Sequence, residues 1–112
     1  MSNKVVARQT FQKQAKKIAR RYKSLPNDLQ KLIDQLKENA TLGTALGGNV
    51  YKIRLAISSK NKGKSDGARV ISYVYQMAET VFLLSIYDKA YTENISDEEL
   101  KYLIAEVEED FK

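Results

Sequence analysis

Residues 50–57 read Val-Tyr-Lys-Ile-Arg-Leu-Ala-Ile, and this stretch decides the fold because large apolar side chains occupy every second position. A period of two is typical of a β-strand that is buried on one face. The other face then carries Lys52 and Arg54 side by side, about 7 Å apart along the strand. The rest of the chain must supply neighbouring strands and a layer that covers the apolar face.

Two more strands follow this one along the chain. Residues 68–76 and 80–87 are rich in β-branched and aromatic side chains, and the short stretch 77–79 between them predicts a tight turn. Residues 58–67 contain serines, glycines and three lysines, which indicates a flexible, cationic hairpin loop. Three consecutive strands joined by short connections predict a mostly antiparallel sheet.

The first half of the chain predicts a short strand at 5–7 and then a helical hairpin. Apolar residues recur at helical spacing from Phe11 to Tyr22, with Thr10 as the expected N-cap. Pro26 lies near the expected first position of a second helix.

After the second helix, residues 39–49 include three glycines and predict a connecting loop. Ser96 and Glu99 have the spacing of a capping box, which predicts a C-terminal helix. The predicted order is β-α-α-β-β-β-α. We therefore expect an α+β protein, a single domain over residues 1–112, with a small sheet that the helices cover on one side.

The composition excludes several classes of function. The 112 residues contain no His and no Cys. A Ser-His or Cys-His triad, a thiolate metal site and a disulfide framework are therefore absent. The acidic residues near the C-terminus lack the spacing of a metal site, so we expect no metal and no cofactor. The longest apolar stretch, 81–86, is far short of the roughly 20 residues of a membrane span, so we expect a cytoplasmic protein without a membrane partner.

The charge is divided unevenly along the chain. Residues 1–89 carry a net charge of +11 and residues 90–112 carry −6. No acidic residue occurs between Arg8 and Lys23, so the outer face of the first helix is purely cationic. Such a face either is an ordinary solvated surface or binds phosphates, and we take it as a candidate RNA-binding surface. Its candidate residues are Lys13, Lys16, Lys17, Arg20 and Arg21.

The strands supply the candidates for chemistry. Arg69 can join Lys52 and Arg54 if the strand register allows, and a cluster of cations can bind a phosphate and neutralise charge in a transition state. Tyr87 and Lys89 lie at the end of the last strand. The alternative is that these are exposed strand charges and half-buried tyrosines. The loop lysines can hold backbone phosphates without reading sequence, or can form a solvated hairpin tip. These lysines are Lys60, Lys62 and Lys64.

The order and spacing of these segments resemble the RelE/ParE superfamily of bacterial toxins, and within it the RelE-like, HigB-like branch. Residues 50–55, 59–71 and 81–89 carry the resemblance, together with Ser24-Leu25 and the segment 95–100. It covers nearly the whole chain.

The resemblance implies the toxin of a type II toxin–antitoxin pair, an mRNA interferase that enters the ribosomal A site. It implies a metal-independent endoribonuclease in which the 2′-hydroxyl attacks the adjacent phosphate and basic residues replace histidine. Carried over by position, Lys52 and Arg54 match the paired strand cations, Arg69 the arginine that holds the phosphate, and Lys89 the basic residue after the last strand.

The chain departs from the pattern of the family at one position. A tyrosine that helps in catalysis in some relatives corresponds to Ile95 here, so Tyr87, Tyr91 or a lysine has to act as the base. The implied partners are a cognate antitoxin, the ribosome and mRNA, with the toxin alone a monomer. Two alternatives stay open: a ParE-like toxin that inhibits DNA gyrase, and a catalytically silent relative that only binds RNA or its antitoxin.

Overall fold

The computed structural model describes residues 2–60, 66–92 and 94–111. The main elements of these ranges are five strands and three α-helices. In chain order these are β1 (Lys4–Ala7), α1 (Gln9–Arg21), α2 (Leu25–Glu38), β2 (Thr44–Gly47), β3 (Val50–Leu55), β4 (Ala68–Tyr75), β5 (Thr80–Asp88) and α3 (Asp97–Glu109). No helix in the described ranges is both long and apolar enough to cross a membrane.

One five-stranded sheet carries the fold, in the order β1-β5-β4-β3-β2. The strand pair β1–β5 is parallel and the other three pairs are antiparallel. The predicted α+β class and mostly antiparallel sheet are confirmed. The central strands β4 and β5 are buried almost throughout, which explains their continuous runs of apolar residues.

The segment 39–49 is not simply a loop as predicted, because it contains β2, which pairs with β3 at the edge of the sheet. The strand is short and fully exposed, so it has no alternation of apolar residues that a sequence pattern could reveal. Gly47, Gly48 and Asn49 form the turn with positive φ angles of 95°, 60° and 66°. Gly43 lies so close to β3 that an added Cβ would be 2.4 Å from the Lys52 carbonyl oxygen.

The predicted helices are present, with one correction at a cap. Helix α1 begins at Gln9, so Arg8 is at the N-cap position and Thr10 lies inside the helix. In α3 the Ser96 side chain accepts a hydrogen bond from the Glu99 amide at 3.1 Å, which confirms the predicted cap. Pro26 lies in the first turn of α2, as expected.

Both faces of the sheet are covered, whereas the sequence suggested helices on one side only. The helical hairpin packs on one face, where Phe11, Leu32 and Ile53 belong to one apolar core. Helix α3 packs on the other face, where Leu103 and Val107 join a second core. The buried strands β4 and β5 present apolar residues to both sides, so each face needs its own layer.

Candidate active site

Strand register gathers three candidate residues into one row. Arg54 of β3 is directly opposite Arg69 of β4, and Arg69 is directly opposite Tyr87 of β5. Side chains that are directly opposite point to the same face, with Cβ atoms roughly 4.5–5.5 Å apart. We call Arg54, Arg69 and Tyr87 the cross-strand row. Like charges directly opposite each other destabilise a sheet, so two arginines placed this way are typical of a site that receives an anion.

The two arginines of the row lie in different environments. Arg54 is exposed, whereas Arg69 is only 4% exposed and one of its guanidinium nitrogens donates a hydrogen bond to the Ala68 carbonyl at 3.1 Å. A buried guanidinium is fixed in direction and acts through a lower dielectric, so its charge has a longer reach than that of an exposed one. Arg69 is therefore the positioned cation of the row and Arg54 the accessible one.

Tyr87 completes the row as a buried phenol. Its side chain is 8% exposed, and its hydroxyl has no hydrogen bond of ordinary geometry within the described ranges. Burial raises the pKa of Tyr87 above its usual 10.0, although the charge of Arg69 and the backbone at Ile95 act in the opposite direction. The phenol is therefore protonated at neutral pH, next to a fixed positive charge.

The segment before α3 borders this site. The Lys52 ammonium donates a hydrogen bond of 2.6 Å to the side-chain oxygen of Asn94. Ile95, the position at which some relatives have tyrosine, is half-buried in the second apolar core. Lys52 lies on the same face as Arg54, two residues away along β3, so it flanks the cross-strand row.

Tyr91 lies elsewhere, although it was predicted as a catalytic candidate. Its ring is 67% exposed, and the Arg21 guanidinium carbon is 4.4 Å from the ring centroid. Arg21 belongs to α1, which packs on the opposite face of the sheet from the cross-strand row. Lys89 directly follows β5 and is half-buried, with its amide donating to the Gly67 carbonyl at 3.1 Å. Of the two tyrosines, Tyr87 is thus the one placed with the arginines.

Lys60 is not the solvated loop cation that the sequence suggested. Its ammonium forms an ion pair of 2.6 Å with Asp88, and both side chains are more than nine-tenths buried. This position does not suit the predicted contact with RNA, because the charge is already compensated inside the protein. Lys62 and Lys64 lie outside the described residues. The five candidate cations of α1 are all exposed.

Asp28, in the first turn of α2, is a buried acidic residue that fixes the start of the helix. It is 6% exposed and accepts hydrogen bonds from Ser24 (2.8 Å), the Ser58 amide (2.9 Å) and the Ser58 hydroxyl (2.6 Å). Burial would raise the pKa of Asp28, but these hydrogen bonds and the charge of Lys31 outweigh it and hold the pKa below the usual 3.8. Only its neighbours in space reveal this role, since an acidic residue in a first helical turn is ordinary.

A groove of about 440 Å³ runs along the outer edge of β3, between that strand and α2. Lys31, Lys52 and Arg54 contribute its cationic wall, and Leu32 and Leu42 are among the apolar residues that line it. Of the cross-strand row, Arg54 lines this groove. Among the described residues, no group of three or more acidic side chains is arranged to hold a metal ion.

Comparison with known proteins identifies the family. The family model for the "RelE toxin of RelE / RelB toxin-antitoxin system" matches residues 3–109. The chain belongs to the RelE toxin family. Its structure is similar to that of a double mutant of E. coli toxin RelE in the free state, with 20% identity, a TM-score of 0.63, and 83% of this chain and 90% of that chain covered.

Two more solved structures resemble this RelE-family protein. The intact E. coli RelBE toxin–antitoxin complex matches with 19% identity and a TM-score of 0.61, over 78% of this chain and 96% of that chain. The isolated E. coli RelE toxin matches with 17% identity and a TM-score of 0.62, over 93% of this chain and 98% of that chain. At these identities the likeness concerns the fold.

Proposed function

We propose that this RelE-family protein is an endoribonuclease that cleaves mRNA in the A site of the ribosome and thereby inhibits translation. The observation that carries the proposal is the cross-strand row, in which a buried arginine, an exposed arginine and a protonated tyrosine meet on one face of the sheet. A phosphate between these groups would face two positive charges and one proton donor. Family membership supports the same conclusion.

The proposed reaction is an intramolecular transesterification, in which the phosphoryl group of one RNA linkage passes from the 5′-oxygen to the 2′-oxygen. The 2′-oxygen attacks the adjacent phosphorus, the bond from phosphorus to the 5′-oxygen breaks, and a 2′,3′-cyclic phosphate and a 5′-hydroxyl form. Arg54 and Arg69 neutralise the negative charge that grows on the phosphate oxygens. Because these arginines supply the charge, the proposed mechanism requires no metal and no cofactor.

Two protons must move during this reaction. The leaving 5′-oxygen gains one, and Tyr87 can donate it because its raised pKa keeps the phenol protonated at neutral pH. The attacking 2′-hydroxyl loses the other. Lys52 and Lys89 are the candidates for that base, each acting as the neutral amine, which becomes an ammonium when it takes the proton, since Lys52 flanks the row and Lys89 follows β5 directly.

The exposed cations of α1 are proposed to bind ribosomal RNA. A face with five positive charges is suited to backbone phosphates, which such residues recognise without reading sequence. Tyr91, with Arg21 stacked on its ring, offers an aromatic surface at the end of the same helix. We assign Tyr91 to RNA binding rather than to proton transfer.

A cognate antitoxin is the proposed protein partner. The E. coli relative is described as a toxin–antitoxin complex, and this chain has a basic surface that an acidic or amphipathic segment can cover. We propose that the toxin alone is a monomer and acts in the cytoplasm, where ribosomes and mRNA are available.

The test is primer extension on an mRNA translated in a purified system, with the same RNA free of ribosomes in parallel. We expect cuts in phase with codons that require the ribosome. Arg54→Gln should reduce the cleavage rate at least tenfold, because an exposed cation of the row is lost. Lys37→Gln removes the same charge from an exposed position at the end of α2 and should cleave at the wild-type rate.

Other outcomes point to the alternatives. Growth arrest on expression without any RNA cleavage would contradict the proposal and favour a gyrase inhibitor. Cleavage of free RNA would keep the ribonuclease but remove the ribosome from the mechanism. Equal rates for the Arg54 and Lys37 variants would exclude the cross-strand row as the site.

A further inference from the structure

We propose that the buried ion pair between Lys60 and Asp88, the anchor pair, is a positioning device that holds Tyr87 and Lys89 in place for RNA cleavage. The inference rests on the function proposed above and assigns a role to two residues outside the cross-strand row. Neither residue would touch the RNA. Both would act through the end of β5 and the turn that follows it.

Both charges of the anchor pair are buried, and the Lys60 ammonium has further contacts besides Asp88. The Lys60 ammonium is 2.6 Å from one carboxylate oxygen of Asp88, and the two side chains are 8% and 7% exposed. The same ammonium donates to the Asp66 carbonyl at 2.9 Å and lies 5.0 Å from the ring centroid of Tyr22. The Lys60 charge thus meets a carboxylate, a carbonyl and an aromatic face together.

Asp88 also organises the backbone on its C-terminal side. The carboxylate oxygen that binds Lys60 accepts a hydrogen bond from the Ala90 amide at 3.0 Å. The carbonyl oxygen of Asp88 accepts from the amides of Tyr91 and Thr92, each at 3.0 Å. These bonds form a tight turn directly after the strand, so the direction in which residue 89 leaves the sheet is fixed by Asp88.

Alternation along β5 explains how the pair can act on the catalytic face. Asp88 is opposite Ala68, whose side chain belongs to the core under the helical hairpin, while Tyr87 is opposite Arg69 in the cross-strand row. Consecutive residues of a strand point to opposite faces. The pair therefore fixes the strand from the hairpin side, between two catalytic candidates, without occupying the site.

A purely structural role would not need charges at this position. Replacing a buried ion pair by apolar residues of similar volume is often neutral or stabilising, whereas removing one partner leaves an uncompensated charge. What apolar packing does not reproduce is direction, because only the carboxylate receives both the Lys60 ammonium and the Ala90 amide. Fixed geometry matters for catalysis, since a shift of about 1 Å at the reacting groups can cost roughly 100-fold in rate.

The decisive variant is the double replacement Lys60→Met with Asp88→Leu, which removes both charges and keeps apolar volume. We expect its thermal unfolding temperature and its affinity for ribosomes to match the wild type. We expect its maximal cleavage rate on saturating ribosomes to fall about 10- to 100-fold. A merely structural pair would leave this rate unchanged, so a wild-type rate in the folded double variant would overturn the inference.

A second variant covers the case in which the double replacement does not fold. Asp88→Glu keeps the charge and the ion pair but moves the carboxylate by one methylene group. We expect a folded protein with normal ribosome affinity and a cleavage rate lowered about tenfold, and a wild-type rate here would likewise contradict the inference. If the wild-type protein itself cleaves no RNA in the same assay, the proposed function fails, and the anchor pair loses this role with it.

Discussion

The two faces of the sheet use the same strands for different purposes. Under the helical hairpin, the charges of Lys60 and Asp88 are buried and compensate each other at 2.6 Å. Under α3, the cross-strand row places two arginines of like charge directly opposite each other, beside a phenol without an ordinary hydrogen bond among the described residues. One face buries an ion pair, and the other places two cations side by side where we propose that an RNA phosphate binds.

This difference shows that the positive charge of a side chain does not by itself determine whether it is buried in an ion pair or exposed for binding. Lys60 and Arg54 are both cations, yet the Lys60 side chain is buried in an ion pair and Arg54 is exposed. Strand register and alternation place Arg54 opposite Arg69, whereas Lys60, which follows β3, is held beside Asp88 by an ion pair. Variants that remove charge from one face at a time can test the distinction.

The largest effect is expected for Arg69→Ala. It removes the positioned cation of the row, and loss of one preorganised charge at a transition state typically costs 10²–10³ in rate, up to about 4 kcal/mol. We expect cleavage to fall by about that factor in the primer-extension assay. Arg69→Lys keeps the charge but not the planar guanidinium and should recover only part of the rate. Full activity of Arg69→Ala in a folded protein would remove the site from this face.

Tyr87→Phe should lower the cleavage rate about 100-fold, close to 2.7 kcal/mol, because it removes the proposed proton donor. The pKa of Tyr87 lies above its usual 10.0, and the donor is lost only when pH rises through that value. The wild-type rate should therefore not decline on account of Tyr87 between pH 6 and 9. A decline centred near pH 7 that disappears in Tyr87→Phe would contradict this assignment.

Several features of the two faces can be predicted from the sequence. The alternation in residues 50–57 predicts the strand and the common face of Lys52 and Arg54, and the Ser96 cap predicts the start of α3. These features are local, so nearby residues are sufficient to reveal them. The pairing of Arg54 with Arg69 depends on the register between β3 and β4. The length of the connection between these strands does not determine that register, so the sequence alone does not predict the pairing.

Other features depend on contacts between residues that are distant in the sequence. The Lys60–Asp88 pair joins positions 28 residues apart, and Asp28 meets Ser58 across 30 residues. A lysine in a loop and an aspartate on a helix are usually exposed, so the sequence alone does not reveal that Lys60 and Asp28 are buried. Strand β2 was missed for a different reason, since an exposed edge strand of four residues has no periodic signal.

Asp28→Asn tests the face of the sheet under the helical hairpin and leaves the cross-strand row unchanged. It weakens three hydrogen bonds to a buried charge, and we expect it to lower the free energy of unfolding by about 2 kcal/mol in urea. Asp34→Asn, at an exposed position of the same helix, is the matched control and should change little. The pKa of Asp28 is lowered by folding, so its contribution is complete above the unfolded value near 3.8 and is lost as pH falls through the folded value. Equal loss of stability toward low pH in the wild type and in Asp28→Asn would contradict this account.

The smallest expected effect concerns α3, the helix that packs on the face of the cross-strand row. Ser96→Ala removes the hydrogen bond to the Glu99 amide and should lower the free energy of unfolding by about 1 kcal/mol, whereas Ser96→Asp, another good N-cap, should keep it. Because the cap lies beside Asn94 and Ile95, which border Lys52 and Tyr87, a loosened α3 should also raise hydrogen exchange at the end of β5 more than in α1. A uniform rise in exchange through both faces would mean that the two layers unfold as one unit and that the sheet does not separate their roles.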